Sequence, residues 1–235
     1  MHKYLQPALN AFGSLPSWAA LRFRRILCII RIVGFLAIVG VFGLAVMRDS
    51  WRTRGHDLWE RPFKNARSLG LTLFEFETEF GKPPSVGTLA DVSARGASIP
   101  RVSKTSNDFL RQLIAAGLEQ DERLFFAPAN GCREPDNRVD GSHALEMGEC
   151  GFSYLVGPSF NSGAPQPILV TPLISGTNRF DPKPLGGWAV VLWTDNSVVR
   201  LPIDKHGCVM HLGKHLLDSA NPIWDGHPLM IVWPE

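Results

Sequence analysis

Residues Ile26 to Met47 read ILCIIRIVGFLAIVGVFGLAVM, 22 positions interrupted by one charge, Arg31. At about 1.5 Å per helical residue the run is long enough to cross the hydrocarbon core of a bilayer. The pattern predicts a tail over 1–25, a single transmembrane anchor over 26–47, and a large water-soluble part beyond it. Arg31 lies near one end of the run, where its guanidinium can reach the headgroups while its stem stays in the apolar layer. A cleaved secretory signal is the competing reading, because Gly43 and Ala45 offer a small-x-small site before Val46. Both the tail and the run exceed what a signal peptide uses, so a retained anchor is expected.

After the anchor, Trp59, Phe63, Ala66, Leu69, Leu73, Phe76 and Phe80 recur at three or four residues, with Arg61, Lys64, Arg67, Glu75, Glu77 and Glu79 largely outside the stripe. This is the period of an amphipathic helix, expected over 48–81 as a continuation of the anchor, its apolar face covering its own domain's sheet. Pro62 kinks it or opens a second piece, and Gly81, Pro83 and Pro84 end it. Residues Lys82 to Thr105 read as a loop. A second helix is expected from Asn107 to Ala116, with Ser106 as N-cap, Asp108 in the first turn, Leu110, Leu113 and Ile114 inward, and Gly117 as the stop.

The pattern then changes to strands. Candidates are Arg123 to Ala127, Gly151 to Val156, Pro167 to Pro172, Gly187 to Thr194, Ser197 to Ile203 and Leu229 to Trp233, with Asp195-Asn196 as the turn joining the fourth to the fifth. Helices first and an antiparallel sheet afterwards predict an α+β fold, one globular domain over 82–235 with the amphipathic helix packed on its sheet. No internal repeat at solenoid periods is present.

Charge refines this picture. The first 47 residues hold five Lys or Arg and no acid, whereas the remaining 188 carry 19 basic and 22 acidic residues, a net of −3. That balance argues against a nucleic-acid-binding face. Arg48, Arg52, Arg54, Arg61, Lys64 and Arg67 follow the anchor, so flanking charge leaves its orientation open. The cysteines decide it. Cys132 and Cys150 lie 18 positions apart across a turn-rich stretch, which suits a disulfide formed in an oxidising compartment and worth about 3 kcal/mol. Two free thiols are the alternative, because spacing alone does not give connectivity. The resulting expectation is a single-pass protein of the inner, cytoplasmic membrane with an extracytoplasmic C-terminal domain. Cys28 falls in the anchor, and Cys208 has no evident partner.

Local strings carry a resemblance. Asn65-Ala66-Arg67-Ser68-Leu69-Gly70-Leu71 running to Phe80-Gly81-Lys82-Pro83-Pro84 is similar to the post-anchor helix of bacterial pseudopilin-like proteins. Ser106-Asn107-Asp108-Phe109-Leu110-Arg111-Gln112-Leu113 resembles their second helix, and Thr194-Asp195-Asn196-Ser197-Val198 resembles their late Asp-Gly hairpin, with Asn196 in place of glycine. The ending from Asn221-Pro222-Ile223-Trp224 to Trp233-Pro234-Glu235 resembles the tails of large, verrucomicrobial-type members. The chain thus resembles type IV pilins and type II secretion pseudopilins over most of 57–235. The resemblance implies a pilin-like domain whose partners, besides the bilayer, are other pilin-like subunits or secretion-system components. It does not extend to the processing site. The Gly34-Phe35 pair is followed at the fifth mature position by Val39, where prepilins carry glutamate, and a cut there leaves 13 apolar residues, too few to span.

Two clusters offer metal chemistry. His206, Cys208, His211 and His215 form H-x-C-x2-H-x3-H, with Asp218, Asp225 and His227 nearby, a donor set that suits zinc. The segment lacks the glutamate of H-E-x-x-H, and Gly207 and Gly213 favour turns, so packing or solvated histidines held by apolar burial are expected instead. Asp136, Asn137, Asp140 and Glu149 could offer oxygens to calcium, but Arg138 and Met147 occupy the third and twelfth places of an EF-hand loop, and a solvated acidic loop is expected. No G-x-S-x-G, Walker loop or G-x-G-x-x-G occurs. The sequence therefore predicts a non-enzymatic, cofactor-free pseudopilin-like envelope protein. The alternatives are a membrane-anchored extracytoplasmic binding module of the same fold and, behind it, a metal-dependent hydrolase built on His206 to His227.

Overall fold

The computed structural model describes residues 58–94, 104–140 and 143–235, together with Gly34 and Gly40. The first helix, α1 (58–80), places the apolar stripe of the sequence inward: Ala66, Leu69, Leu73 and Phe76 are buried, while Lys64, Arg67, Leu71, Phe74, Glu75 and Thr78 are exposed. Gly70 explains how closely α1 approaches the sheet. A Cβ there would come within 2.8 Å of Asn196 Oδ1 and of a Leu192 methyl group. Pro62 is buried within α1, which runs through it, and Gly81, at φ +76°, donates its amide to the Glu77 carbonyl and ends the helix.

Among the described residues no helix is long and apolar enough to cross a membrane. This corrects the expected architecture of a spanning helix running into the amphipathic one. The long helix that is described, α1, is no span because its outer face carries charge at Lys64, Arg67, Glu75 and Glu79. The tail 1–25 and residues 48–57 lie outside the described residues, as does the Ile26 to Met47 segment, with Arg31 and Cys28, apart from Gly34 and Gly40.

Residues 82–94 are more ordered than a loop. A 3₁₀ turn at Val86–Thr88 leads into a short helix, α2 (Leu89–Ser93), and the buried Thr88 hydroxyl donates to Gln112 Oε1 at 2.7 Å. Helix α3 (Ser106–Ala115) begins one residue earlier than expected because Thr105, not Ser106, is its cap. Thr105 Oγ1 accepts from the Asp108 amide and the Asp108 carboxylate accepts from the Thr105 amide, a reciprocal box that satisfies two terminal donors.

The five long strands form one antiparallel sheet: β1 (Ser153–Val156), β2 (Pro167–Thr171), β3 (Trp188–Trp193), β4 (Val198–Pro202) and, after the small ribbon β5 (Met210–His211) and β6 (Lys214–His215), β7 (Met230–Val232). The order is β4-β3-β2-β1-β7, a meander whose last strand returns beside its first. Asn196, at φ +63°, makes the β3–β4 turn with the expected Asp195. The expected strand Arg123 to Ala127 is instead a 3₁₀ turn, Glu122–Phe125. A side chain of α1 holds it in place: Asn65 Nδ2 donates to the carbonyls of Arg123 (2.8 Å) and of Phe126, just past the turn (2.9 Å).

Both faces of the sheet are covered, which is why β3 reads as an unbroken apolar run. Val190 and Leu192 join Tyr154, Leu169 and Val232 beneath α1 and α3, packed with Leu69, Leu73, Phe76 and Phe109. Ala189, Val191 and Trp193 join Leu155 and Val170 on the other face, against Val209, Leu216, Leu217 and Trp224 of the β4–β7 connection. Helix, sheet and an irregular third layer are thus stacked in that order.

Candidate functional site

The third layer leaves a groove of about 1270 Å³ at one end of the sheet. Trp193, Val199 and Leu201 line it from β3 and β4, and Ile223, Trp224, His227 and Met230 from the connection and β7. Asn221 builds the far wall. Its Oδ1 caps the Pro222–Trp224 turn by accepting from the Ile223 amide, while its Nδ2 donates to the carbonyls of His211 (2.9 Å) and His215 (3.1 Å). Gln166 Nε2 donates to the Ile223 carbonyl at 2.9 Å and ties that wall to the loop before β2. His211 lies on the floor with its ring 5.1 Å from that of Trp193. The groove is mainly apolar with few polar groups, a lining suited to an apolar or aromatic segment rather than to proton transfer.

The histidine cluster of the sequence is dispersed. His206 is exposed; Cys208 Sγ accepts from Arg179 Nη1 at 2.8 Å; His215 has Nε2 2.7 Å from the Asn178 carbonyl and Nδ1 at the backbone of Val209. Asp204 holds this turn, accepting from the amides of His206 and Cys208, and these bonds keep its carboxyl below the usual carboxylate range. Asp225 and His227 lie at the groove, while Asp218 accepts from the Ala220 amide. Their donor atoms form no metal-sized group among the described residues. Val209, Leu216, Leu217 and Trp224 are buried around them, so apolar burial holds the region, and no serine or cysteine is hydrogen-bonded to a histidine ring among the described residues.

The expected disulfide is corrected: Cys132 and Cys150 are free thiols. Cys132 Sγ donates to the Cys150 carbonyl at 3.2 Å, and Cys150 Sγ donates to the Phe152 carbonyl and lies 3.8 Å from Ser106 Oγ inside the core. The loop is closed by other means. The Arg133 amide donates to the Gly148 carbonyl at 2.8 Å, and Arg133 Nη2 pairs with Glu146 at 3.0 Å. Burial pushes both thiols up, Cys150 to about 12.

The acidic loop is built rather than merely solvated. Asn137, at φ +63°, accepts the Glu122 amide on Oδ1 at 2.9 Å, and the buried Glu149 accepts from the amides of Glu146 (2.8 Å) and Asp136 (3.2 Å). Asp140 faces Arg138 at 3.9 Å and takes no part. Glu122, which the sequence places only beside a strand, joins this group because the 3₁₀ turn folds it inward.

Searches against family models, curated proteins and solved structures found no match for this chain.

Proposed function

We propose that the chain is a non-enzymatic, pilin-like structural domain of an envelope assembly of the secretion or pilus kind, acting by contact with other pilin-like subunits or secretion components. One observation carries the reading. On α1, whose inner face is fully used by the sheet, Leu71 and Phe74 stand 59% and 46% exposed between Lys64, Arg67, Glu75 and Thr78. Exposed apolar residues rimmed by charge on a rigid helix suit a contact surface of modest area. Phe74 is further held by an edge-to-face contact with Phe160, 5.8 Å between centroids, so the surface is preformed.

The test is the native size of the complex in cells. Leu71→Ser with Phe74→Ser should release the chain from its larger complex while leaving its melting temperature within a few degrees; an unchanged complex would count against the reading. A second reading, an extracytoplasmic binding module outside any assembly, is favoured by the groove alone. It predicts that Trp193 and Ile223 substitutions, and not those on α1, abolish partner capture.

A further inference from the structure

We propose that Glu122, Asp136 and Glu149 form a calcium site. A carboxylate oxygen from each lies within 4.8 Å of the other two, close enough to share one ion. Glu122 and Glu149 are completely buried, whereas Asp136 is exposed and opens the site to solvent. Proximity of acids alone says little. The decisive observation is Glu122 Oε2, an oxygen removed from water that has no hydrogen-bond partner, although Oε1 of the same carboxylate accepts the Leu145 amide. A buried carboxylate left half satisfied is costly, and a cation is one of the few partners that can complete it.

Charge points the same way. The nearby cation is Arg133, whose Nη2 stands 3.2 Å from Glu149 Oε1 but is shared with Glu146 Oε2 at 3.0 Å. Three carboxylates with a share in one guanidinium leave at least two negative charges, which a divalent ion offsets. The donors are all oxygen and sit on irregular loops, as a hard cation tolerant of uneven geometry requires; magnesium demands a tighter octahedron. The remaining positions fall to water through the Asp136 side. A site of this kind, without a dedicated twelve-residue loop, belongs with those of about 0.1–1 mM affinity.

The experiment uses the full-length protein, stripped with EGTA and titrated with CaCl₂, read by equilibrium dialysis and by tryptophan-monitored melting. One ion per chain is expected, with the melting temperature raised by about 3 °C at tenfold excess over Kd. Glu122→Gln should weaken binding at least tenfold while melting no lower than wild type in EGTA, because it removes the uncompensated charge. Asp136→Asn, at an exposed position, gives the same loss of binding without touching the core, and Asp140→Asn retains it. Absence of calcium at 10 mM, equal affinity in Glu122→Gln and Asp136→Asn, or an equal response to magnesium would each overturn the proposal.

Discussion

Asn65 places one side-chain amide against two backbone carbonyls, those of Arg123 and Phe126, so a single residue ties α1 to the Glu122–Phe125 turn. Asn65→Ala leaves both carbonyls without that partner and should cost about 2 kcal/mol, read as a fall in the urea midpoint with an unchanged slope. Gly151 is tighter still: a Cβ there would stand 2.0 Å from the Ala127 carbonyl oxygen, so Gly151→Ala should cost about 3 kcal/mol or more, measured the same way. The thiols are ranked by their surroundings. With Cys150 fully buried and its thiol pushed up to about 12, alkylation of the native protein should spare Cys150 and reach Cys208 before Cys132, whose thiol burial also pushes up, as mass spectrometry of iodoacetamide-treated protein will show. Glu122 gives the pH dependence. Burial, followed by the charges of Glu149 and Asp136, raises its carboxyl above the ordinary 4.5 against the opposing amide of Leu145. The folded state then holds the proton more tightly than the unfolded chain. Its contribution is fully present below 4.5 and is lost as pH rises through the higher folded value. In EGTA, wild type should therefore lose stability relative to Glu122→Gln as pH rises from 4.5, a difference obtained from paired denaturation curves.

At the scale of elements, what the sequence made legible followed from period. The stripe on α1 and the inward Leu110, Leu113 and Ile114 of α3 recur every three or four residues, and burial on one face is what writes that pattern. Five strands were legible as short apolar runs between turn formers, and Asp195-Asn196 as the turn between two of them. The sixth, Arg123 to Ala127, misled because its apolar residues enter the core through a 3₁₀ turn, where alternation carries no information about pairing. Spacing also suggested a disulfide that the fold does not make, since the loop closes through Arg133 and the backbone of Gly148 while Cys150 turns to Ser106 and Phe152. Helix α3 offers its own test: Thr105→Ala removes the acceptor of the Asp108 amide and should cost about 1 kcal/mol, whereas Ser106→Ala leaves the cap intact, a contrast visible in thermal melts.

Across the whole molecule, the layer least visible in the sequence is the one over the sheet's second face. Residues 203–229 have no long helix or strand, yet Val209, Leu216, Leu217 and Trp224 seal Val191 and Trp193 from water and shape the groove. The acidic site was legible in part: Asp136 and Glu149 stood in the sequence as oxygen donors, but Glu122 comes from a separate turn that only the fold brings beside them. The histidines lay close in sequence but were dispersed when Asp204, Arg179 and the backbone of Val209 and Asn178 claimed the turn around them. What remains on the outside, with one face of α1 spent on the sheet, is the preformed patch of Leu71 and Phe74. The proposed role rests on this patch touching another protein. A photo-activated phenylalanine analogue at position 71, irradiated in living cells, tests it directly, with the same analogue at exposed Lys183 as control. A discrete adduct, with a second copy or with one partner chain, is expected from position 71 and not from 183; a chain that stays monomeric at both positions would rule that contact out.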